Sequence, residues 1–315
     1  MRLVTFIREL KKIEYGAFDA IHFHETVDIW RFHHLLGEFK GKIVLTSHSP
    51  KPYHLELLED VFHSDKSKIW SSTYKKLEAI DKIAFQKTDM IVAPCKEALE
   101  AYQQHWPSFH QLTKSKPFQF IPTGIEKTHT LKSLTEVRND LGIPEDAFVV
   151  CFNGRHNKVK GYDLLEEAAV DLFEAYRDIY FIVTGKKGDS DLIKNKRWLQ
   201  TGWTTEPENF MNASDLVVVP NRETYFDLNV LTALSMGKPV VLSDTGGNKY
   251  FKQFSSPGIL FFDVQKTKAL KQIIQYAYEN RKNLRATSGQ NSEIYRLRFT
   301  VDLFTSELQQ FYLSI

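Results

Sequence analysis

Phe148-Val149-Val150-Cys151-Phe152-Asn153-Gly154-Arg155-His156-Asn157-Lys158-Val159-Lys160-Gly161 is the stretch that decides the fold. With Ala147 it opens as an unbroken apolar run, the pattern of a strand buried on both faces, and it closes as a polar loop bounded by two glycines. Leu216-Val217-Val218-Val219, followed by Pro220-Asn221-Arg222-Glu223-Thr224-Tyr225-Phe226-Asp227, repeats the arrangement. In an open α/β sheet, ligands settle at the carboxyl ends of the strands, which is where both loops fall. The first carries paired cations beside a glycine and leads into a helix, a combination that suits a ligand bearing a diphosphate.

Working outward, short buried-strand patterns alternate with helical patterns along the whole chain, the signature of parallel α/β architecture. In the first part, residues 20–24, 42–46, 90–93 and 118–121 read as strands, with helices over 28–39, 64–87 and 96–104. The polar segment from Pro122 to Glu136, with Gly124 and several Thr and Lys, reads as a hinge. Beyond it the same rhythm resumes, with strands at 147–152, 179–184, 215–219, 239–243 and 258–263. Helices are predicted at 162–176, 189–196, 208–213, 228–236, 267–283 and 301–312. The expected organisation is a first α/β domain over 1–124, a second α/β domain over 137–290, and a C-terminal helical segment, 291–315, crossing back to the first.

A chain of 315 residues is comfortable for two such domains. A net charge of +2 gives no general pull toward nucleic acid, so any work done by cations is local. The two cysteines, Cys95 and Cys151, lie far apart in apolar stretches and read as small buried hydrophobes, as in a reducing cytoplasm. No apolar run approaches the ~20 residues that span a bilayer. The first twelve residues pair Leu3, Phe6, Ile7 and Leu10 with Arg2, Arg8, Lys11 and Lys12. Such a segment either packs on its own domain or docks peripherally on the inner face of an anionic membrane. A cytoplasmic location is expected.

Nine of the eleven histidines lie within the first 110 residues, yet carboxylate and cysteine partners at ligand spacing are missing, so no metal is expected. His48, in Thr46-Ser47-His48-Ser49-Pro50, follows a strand, and His22 and His24 share one strand face. Arg155 and Lys160 would neutralise charge on a departing diphosphate oxygen, the plain alternative being a solvated basic loop. Asn221 to Asp227 offers donors and acceptors for sugar hydroxyls, or is an ordinary turn. Gly246-Gly247, after Pro239-Val240-Val241-Leu242, allows close backbone approach to a ligand, or simply turns the chain.

Taken in order, these segments resemble the retaining glycosyltransferases of the GT-B fold, in particular family 4 of the sequence-based classification. The resemblance rests on Gly154-Arg155 with Lys160-Gly161, Ile182-Val183-Thr184-Gly185, Ala213 to Pro220, Phe226, Leu234 to Val241 and Gly246-Gly247. In the first part it rests on Phe18 to His24 and Ala84 to Val92. It implies two Rossmann-like parallel-sheet domains facing a cleft. It assigns Arg155 and Lys160 to the donor diphosphate, His48 to the neighbourhood of the transferred sugar, and Gly246-Gly247 to the donor pocket. The Asn221 to Leu228 segment is similar to that of enzymes building bacterial surface polysaccharides and glycans.

Two departures stand out. The family commonly carries two glutamates eight positions apart, and alignment on Phe226 and Gly237 puts Thr224 and Thr232 there, with Glu223 able to shift into the first place. Only residues 1–21 stand before His22, so the first domain is expected to be shortened: compact, completed by a partner chain, or belonging to a truncated product.

The expected activity is therefore metal-independent, retaining transfer of a sugar from a nucleotide sugar, UDP-linked, to a glycan or lipid-linked acceptor, with no cofactor besides that co-substrate. Arg155, Lys160 and His48 are the candidate catalytic residues. Gly154, Asn221, Glu223, Thr224, Tyr225, Phe226, Asp227, Thr232, Gly246 and Gly247 are the candidate donor-binding residues. The competing expectation is a catalytically weak or inactive GT-B-like subunit that binds a partner glycosyltransferase or a glycan. A Rossmann dehydrogenase is disfavoured because no glycine-rich dinucleotide fingerprint follows a strand.

Overall fold

The computed structural model describes residues 15–61, 70–186 and 193–315. The expected amphipathic segment 1–12, His63 and the start of the helix expected from 64 lie outside the described residues; of the helix expected over 189–196, residues 193–196 are described and are not helical. The chain divides into two compact units, each built on a wholly parallel sheet. The first takes in residues up to Pro94 with Ala101–Ile121 and Ser306–Ile315; the second takes in Cys95–Glu100 and Pro122–Thr305.

In the first unit, β1 (Ala20–Phe23), β2 (Lys42–Leu45), β3 (Met90–Ala93) and β4 (Phe118–Phe120) pair in the order β1-β2-β3-β4. The helix Trp70–Lys87 connects to β3 through Thr88, whose hydroxyl bonds back to the Ala84 carbonyl at 2.9 Å. A carboxylate with no exposure, Asp81 on that helix, accepts from Thr26 Oγ1, the His54 amide and His54 Nδ1, and so fixes three segments at once. Desolvated charges persist only when satisfied in this way.

In the second unit, β5 (Phe148–Asn153), β6 (Ile179–Thr184), β7 (Trp198–Gly202), β8 (Leu216–Val219), β9 (Val240–Ser243) and β10 (Ile259–Phe262) form one sheet in the order β10-β9-β8-β5-β6-β7. From β5 the chain runs outward through β6 and β7, then returns to build β8, β9 and β10 on the other side. The strand order therefore reverses between β5 and β8, the point where an open sheet splays its crossover connections and leaves room for a ligand. Both faces of β5 are covered, which explains its unbroken apolar sequence. Phe148, Val150 and Phe152 pack into one core with Tyr162, Leu165 and Phe181, while Cys151 enters another with Val217, Val219 and Leu231.

A buried ion pair fixes the amino ends of β5 and β8. Asp215 Oδ2 accepts from the Val149 amide at 2.9 Å and from Arg138 Nη2 at 2.9 Å, and Arg138 also donates to the carbonyls of Ala213, Glu145 and Ala147. Arg138 lies on the helix Leu134–Asp140, which starts at a capping box of Ser133 and Glu136.

β7 is a strand that sequence periodicity does not announce. Trp198-Leu199-Gln200-Thr201-Gly202 lies at the sheet edge, where one buried tryptophan suffices to seat it and the other positions need not be apolar. The helix expected over 28–39 is also shorter, ending at Phe32 and followed by a single 3₁₀ turn, Leu35–Gly37.

Gly161 joins the β5 loop to the helix Tyr162–Ala175 in the left-handed region, at φ 66°. A side chain there would place its Cβ 2.0 Å from the Pro220 carbonyl oxygen. Gly161→Ala is therefore expected to destabilise the chain by about 2–4 kcal/mol in urea unfolding. A change below measurement error would contradict the close approach of the two loops.

Candidate functional site

At the carboxyl ends of β5 and β8, the two loops that the sequence singles out are tied to each other. The Arg222 amide donates to the Val159 carbonyl at 2.8 Å, and its guanidinium reaches the Lys158 carbonyl and forks onto both oxygens of Asp163 at 2.6 and 3.0 Å. Arg222 therefore works as a strap between loops. Lys160 Nζ donates to Asp227 Oδ2 at 2.7 Å, and Asn221 Nδ2 donates to the same oxygen at 2.6 Å.

Asp227 is the N-cap of the helix Leu228–Ser235, its Oδ1 accepting from the Asn229 amide at 3.0 Å. Burial works against its charge. The Lys160 ammonium beside it, with the hydrogen bonds from Lys160, Asn221 and Asn229, nonetheless holds its carboxyl below the ordinary carboxylate range. Behind it, Asn229 and Asn153 exchange hydrogen bonds, and Thr184 Oγ1 donates to Asn153 Oδ1 at 2.7 Å. The polar layer thus runs across the ends of β6, β5 and β8. Neither Asn153 nor Asn229 is among the sequence candidates, although Asn153 immediately precedes the Gly154-Arg155 pair.

Arg155 is exposed, and no hydrogen bond or ion pair to another described residue engages its guanidinium. Gly154 is half-buried beside it. Lys160, in contrast, is engaged by Asp227, so the two expected partners differ in their present state.

The Gly246-Gly247 turn packs directly on the β8 loop. A Cβ on Gly246 would lie 2.1 Å from the Thr224 carbonyl oxygen, and one on Gly247 would lie 1.8 Å from that of Tyr225. The glycines therefore serve a close backbone approach, closed by the Gly247 amide donating to the Thr224 carbonyl at 2.9 Å. The Gly246 amide donates to Glu100 Oε2 at 2.9 Å, and Lys249 Nζ reaches Oε1 at 2.8 Å. Glu100 lies 146 positions from Gly246, so no local pattern could have marked it.

Thr224 is 5% exposed, and its Oγ1 has no hydrogen-bond partner; Asn248 Oδ1 and Asp244 Oδ1 are likewise buried and unpartnered among the described residues. Orphaned polar atoms are costly in a core and are common where a ligand supplies the missing bonds. Glu223 and Thr232 are half-buried. Tyr225 is buried, and Phe226 packs against Tyr250, Phe251 and Phe299.

His48 belongs to the first unit, after β2. Its Nε2 lies 2.9 Å from His24 Nδ1 and its ring stacks on that of His24, which stacks in turn on His22. His22 bonds Thr46 Oγ1 at 2.7 Å through Nε2 and the Tyr312 hydroxyl through Nδ1. Among the described residues, no group of three or more His, Cys, Asp and Glu is arranged to hold a metal ion. Cys95 and Cys151 are free and buried, and burial pushes both thiols up to about 12, which rules out a resting thiolate nucleophile at either.

Residues 134–294, just over half of the chain, match the family model described as glycosyl transferases group 1. The chain belongs to this family. It is 26% identical over 214 residues to the O-antigen biosynthesis glycosyltransferase WclY of Escherichia coli, a match covering 65% of this chain and 58% of that protein. It is 32% identical over 144 residues to D-inositol 3-phosphate glycosyltransferase 1 of Catenulispora acidiphila, covering 40% of this chain and 34% of that protein. The chain thus matches less than two thirds of the length of either relative. Among solved structures, Anabaena HepE in complex with UDP and glucose superposes with a TM-score of 0.74 at 17% identity, over 100% of this chain and 82% of that one. The two parallel-sheet units are those of the GT-B fold. No helix among the described residues is long and apolar enough to cross a membrane.

The histidine stack carries a pH dependence. His22 is lowered from 6.5 to about 4, first because burial disfavours the cation and then because His24 and His48 lie beside it. The unfolded chain takes up this proton before the folded one does. The stability contribution is therefore complete above pH 6.5, falls as the pH drops toward 4, and levels off below. His22→Gln is expected to flatten urea-unfolding stability across that window; an unchanged slope would show that His22 is not the group responsible.

Proposed function

We propose that this chain transfers a sugar from a UDP-linked donor to a hydroxyl of a glycan or lipid-linked acceptor, with retention at the anomeric carbon and without a metal, as in family 4. The observation that carries this reading is the polar layer at the switch between β5 and β8. There Arg155 and Lys160 stand on one loop, the loop of Thr224 is bonded to it, and the unpartnered Thr224 Oγ1 and Asn248 Oδ1 lie in the neighbouring turns. The Anabaena HepE complex contains UDP and glucose, and the E. coli relative is named for O-antigen biosynthesis; both support the substrate classes.

In this mechanism the glycosidic bond to the diphosphate breaks as the acceptor oxygen forms its bond on the same face. The acceptor proton passes to the departing phosphate oxygen. Arg155 and Lys160 neutralise the charge that grows there, which is the part a metal plays elsewhere. Gly154 and Gly161 let the backbone turn beneath the diphosphate. Asn221, Glu223, Thr224, Thr232 and the Gly246-Gly247 turn line the donor, Tyr225, Phe226 and Asp227 shape its support, and His48 acts beside the transferred sugar.

A second reading, a weakly active or inactive binding subunit, has its own support. Thr224 and Thr232 stand where the family commonly has glutamates, and Lys160 is already held by Asp227. Calorimetry with UDP separates the two, since a pure scaffold shows no binding. A screen of nucleotide sugars for thermal stabilisation would name the donor.

Arg155→Ala and Lys160→Ala are each expected to lower donor turnover, read as UDP release, by about 10²-fold or more, the loss typical of removing one group that stabilises developing charge. Full turnover in both variants would remove the mechanism.

A further inference from the structure

Lys160 already has an anion, and that anion belongs to the chain itself. The side chain of Lys160 is 27% exposed while that of its partner Asp227 is 6% exposed, so the lysine is the more accessible member of the pair. We propose that Asp227 is an internal counter-ion of Lys160 that an incoming phosphate must outcompete, and that this contact sets the affinity of the site for anions. The identity of the anion rests on the donor reading above; the competition does not.

The bonding pattern leaves an incoming phosphate two routes. It can draw the ammonium away from Asp227, leaving a buried carboxylate short of one of its three hydrogen bonds, which is costly for a desolvated charge. Alternatively, it can share the ammonium, which has three N–H donors and only one engaged by Asp227. The phosphate then sits close to a second negative charge in partly desolvated surroundings, where like-charge repulsion is poorly screened. Either route weakens anion binding relative to a free lysine at the same place. Arg155 lacks such a counter-ion among the described residues, so it supplies the attraction that first draws the anion in.

The remaining contacts of Asp227 show that its structural duty is separable from its charge. Oδ1 caps the helix Leu228–Ser235 through the Asn229 amide, and an asparagine oxygen caps as well as an aspartate oxygen. The second position of the asparagine would be an amide nitrogen, which Asn221 can meet by turning its own amide to present Oδ1. Asp227→Asn therefore keeps the cap and the Asn221 contact while removing the counter-ion. Asp227→Ser, another good cap, serves the same purpose if the asparagine variant does not fold.

The test is calorimetric titration of the full chain with inorganic pyrophosphate and, separately, with UDP. It uses the unaltered protein, Asp227→Asn, Lys160→Met and the double variant, with thermal unfolding confirming that each is folded. Pyrophosphate is expected to bind Asp227→Asn about tenfold more tightly than the unaltered chain, because the competent, unpaired state of Lys160 is no longer a minor one. That gain is expected to vanish in the Lys160→Met background. Unchanged or weaker binding to Asp227→Asn would overturn the proposal, showing that the carboxylate orients Lys160 for the anion. A gain that survives loss of Lys160, or no pyrophosphate binding to any of the four chains, would overturn it as well. If Asp227→Asn gains pyrophosphate affinity but UDP binds no more tightly than pyrophosphate, the counter-ion stands and the nucleotide reading fails.

Discussion

A single buried carboxylate holds the candidate site together. Asp227 binds an ammonium from the β5 loop, an amide from the β8 loop and the Asn229 backbone N–H in the first turn of the following helix. The β5 and β8 connections, which the sheet alone would leave separate, become one polar layer. Its charge is tolerated because three donors reach it, two from the loops and one from the helix backbone, and together they offset the desolvation penalty. The same contact engages Lys160, which is the basis for proposing Asp227 as its internal counter-ion.

The location follows from strand order. β5 begins the second sheet and β8 returns to its other side, so the loops leaving them diverge from neighbouring strand ends. At the opposite ends of those strands, Arg138 and Asp215 close the carbonyl and amide groups of the same pair. β5 and β8 are thus fixed at one end by a buried salt bridge and joined at the other by Lys160–Asp227 and Arg222–Asp163. The rigid sheet between them sets the spacing, which is how loop residues acquire defined geometry on a scaffold.

The fold was legible because burial on both faces writes itself as unbroken apolar runs, as at Val149-Val150-Cys151 and Leu216-Val217-Val218-Val219. β7 escaped because an edge strand needs only Trp198 to seat it. The loops were legible as loops and Gly161, Gly246 and Gly247 as turns, but the backbone that Gly246 and Gly247 approach is that of Thr224 and Tyr225, which the sequence did not indicate. What periodicity could not supply was pairing. Asn221, Arg222 and Asp227 read as donors and acceptors for a sugar, yet Arg222 straps two loops and Asp227 holds Lys160. Asn229 and Glu100 act through contacts 76 and 146 positions away in sequence, a range over which no spacing rule operates.

The proposed donor site lies at the β5–β8 switch, where Lys160 is paired with Asp227 and Arg155 is exposed. The most direct measurement is a crystal structure of the chain with UDP bound. The account predicts the diphosphate at the carboxyl ends of β5 and β8, within hydrogen-bond distance of both the Arg155 guanidinium and the Lys160 ammonium. A diphosphate bound elsewhere, or one that touches neither side chain, would contradict it.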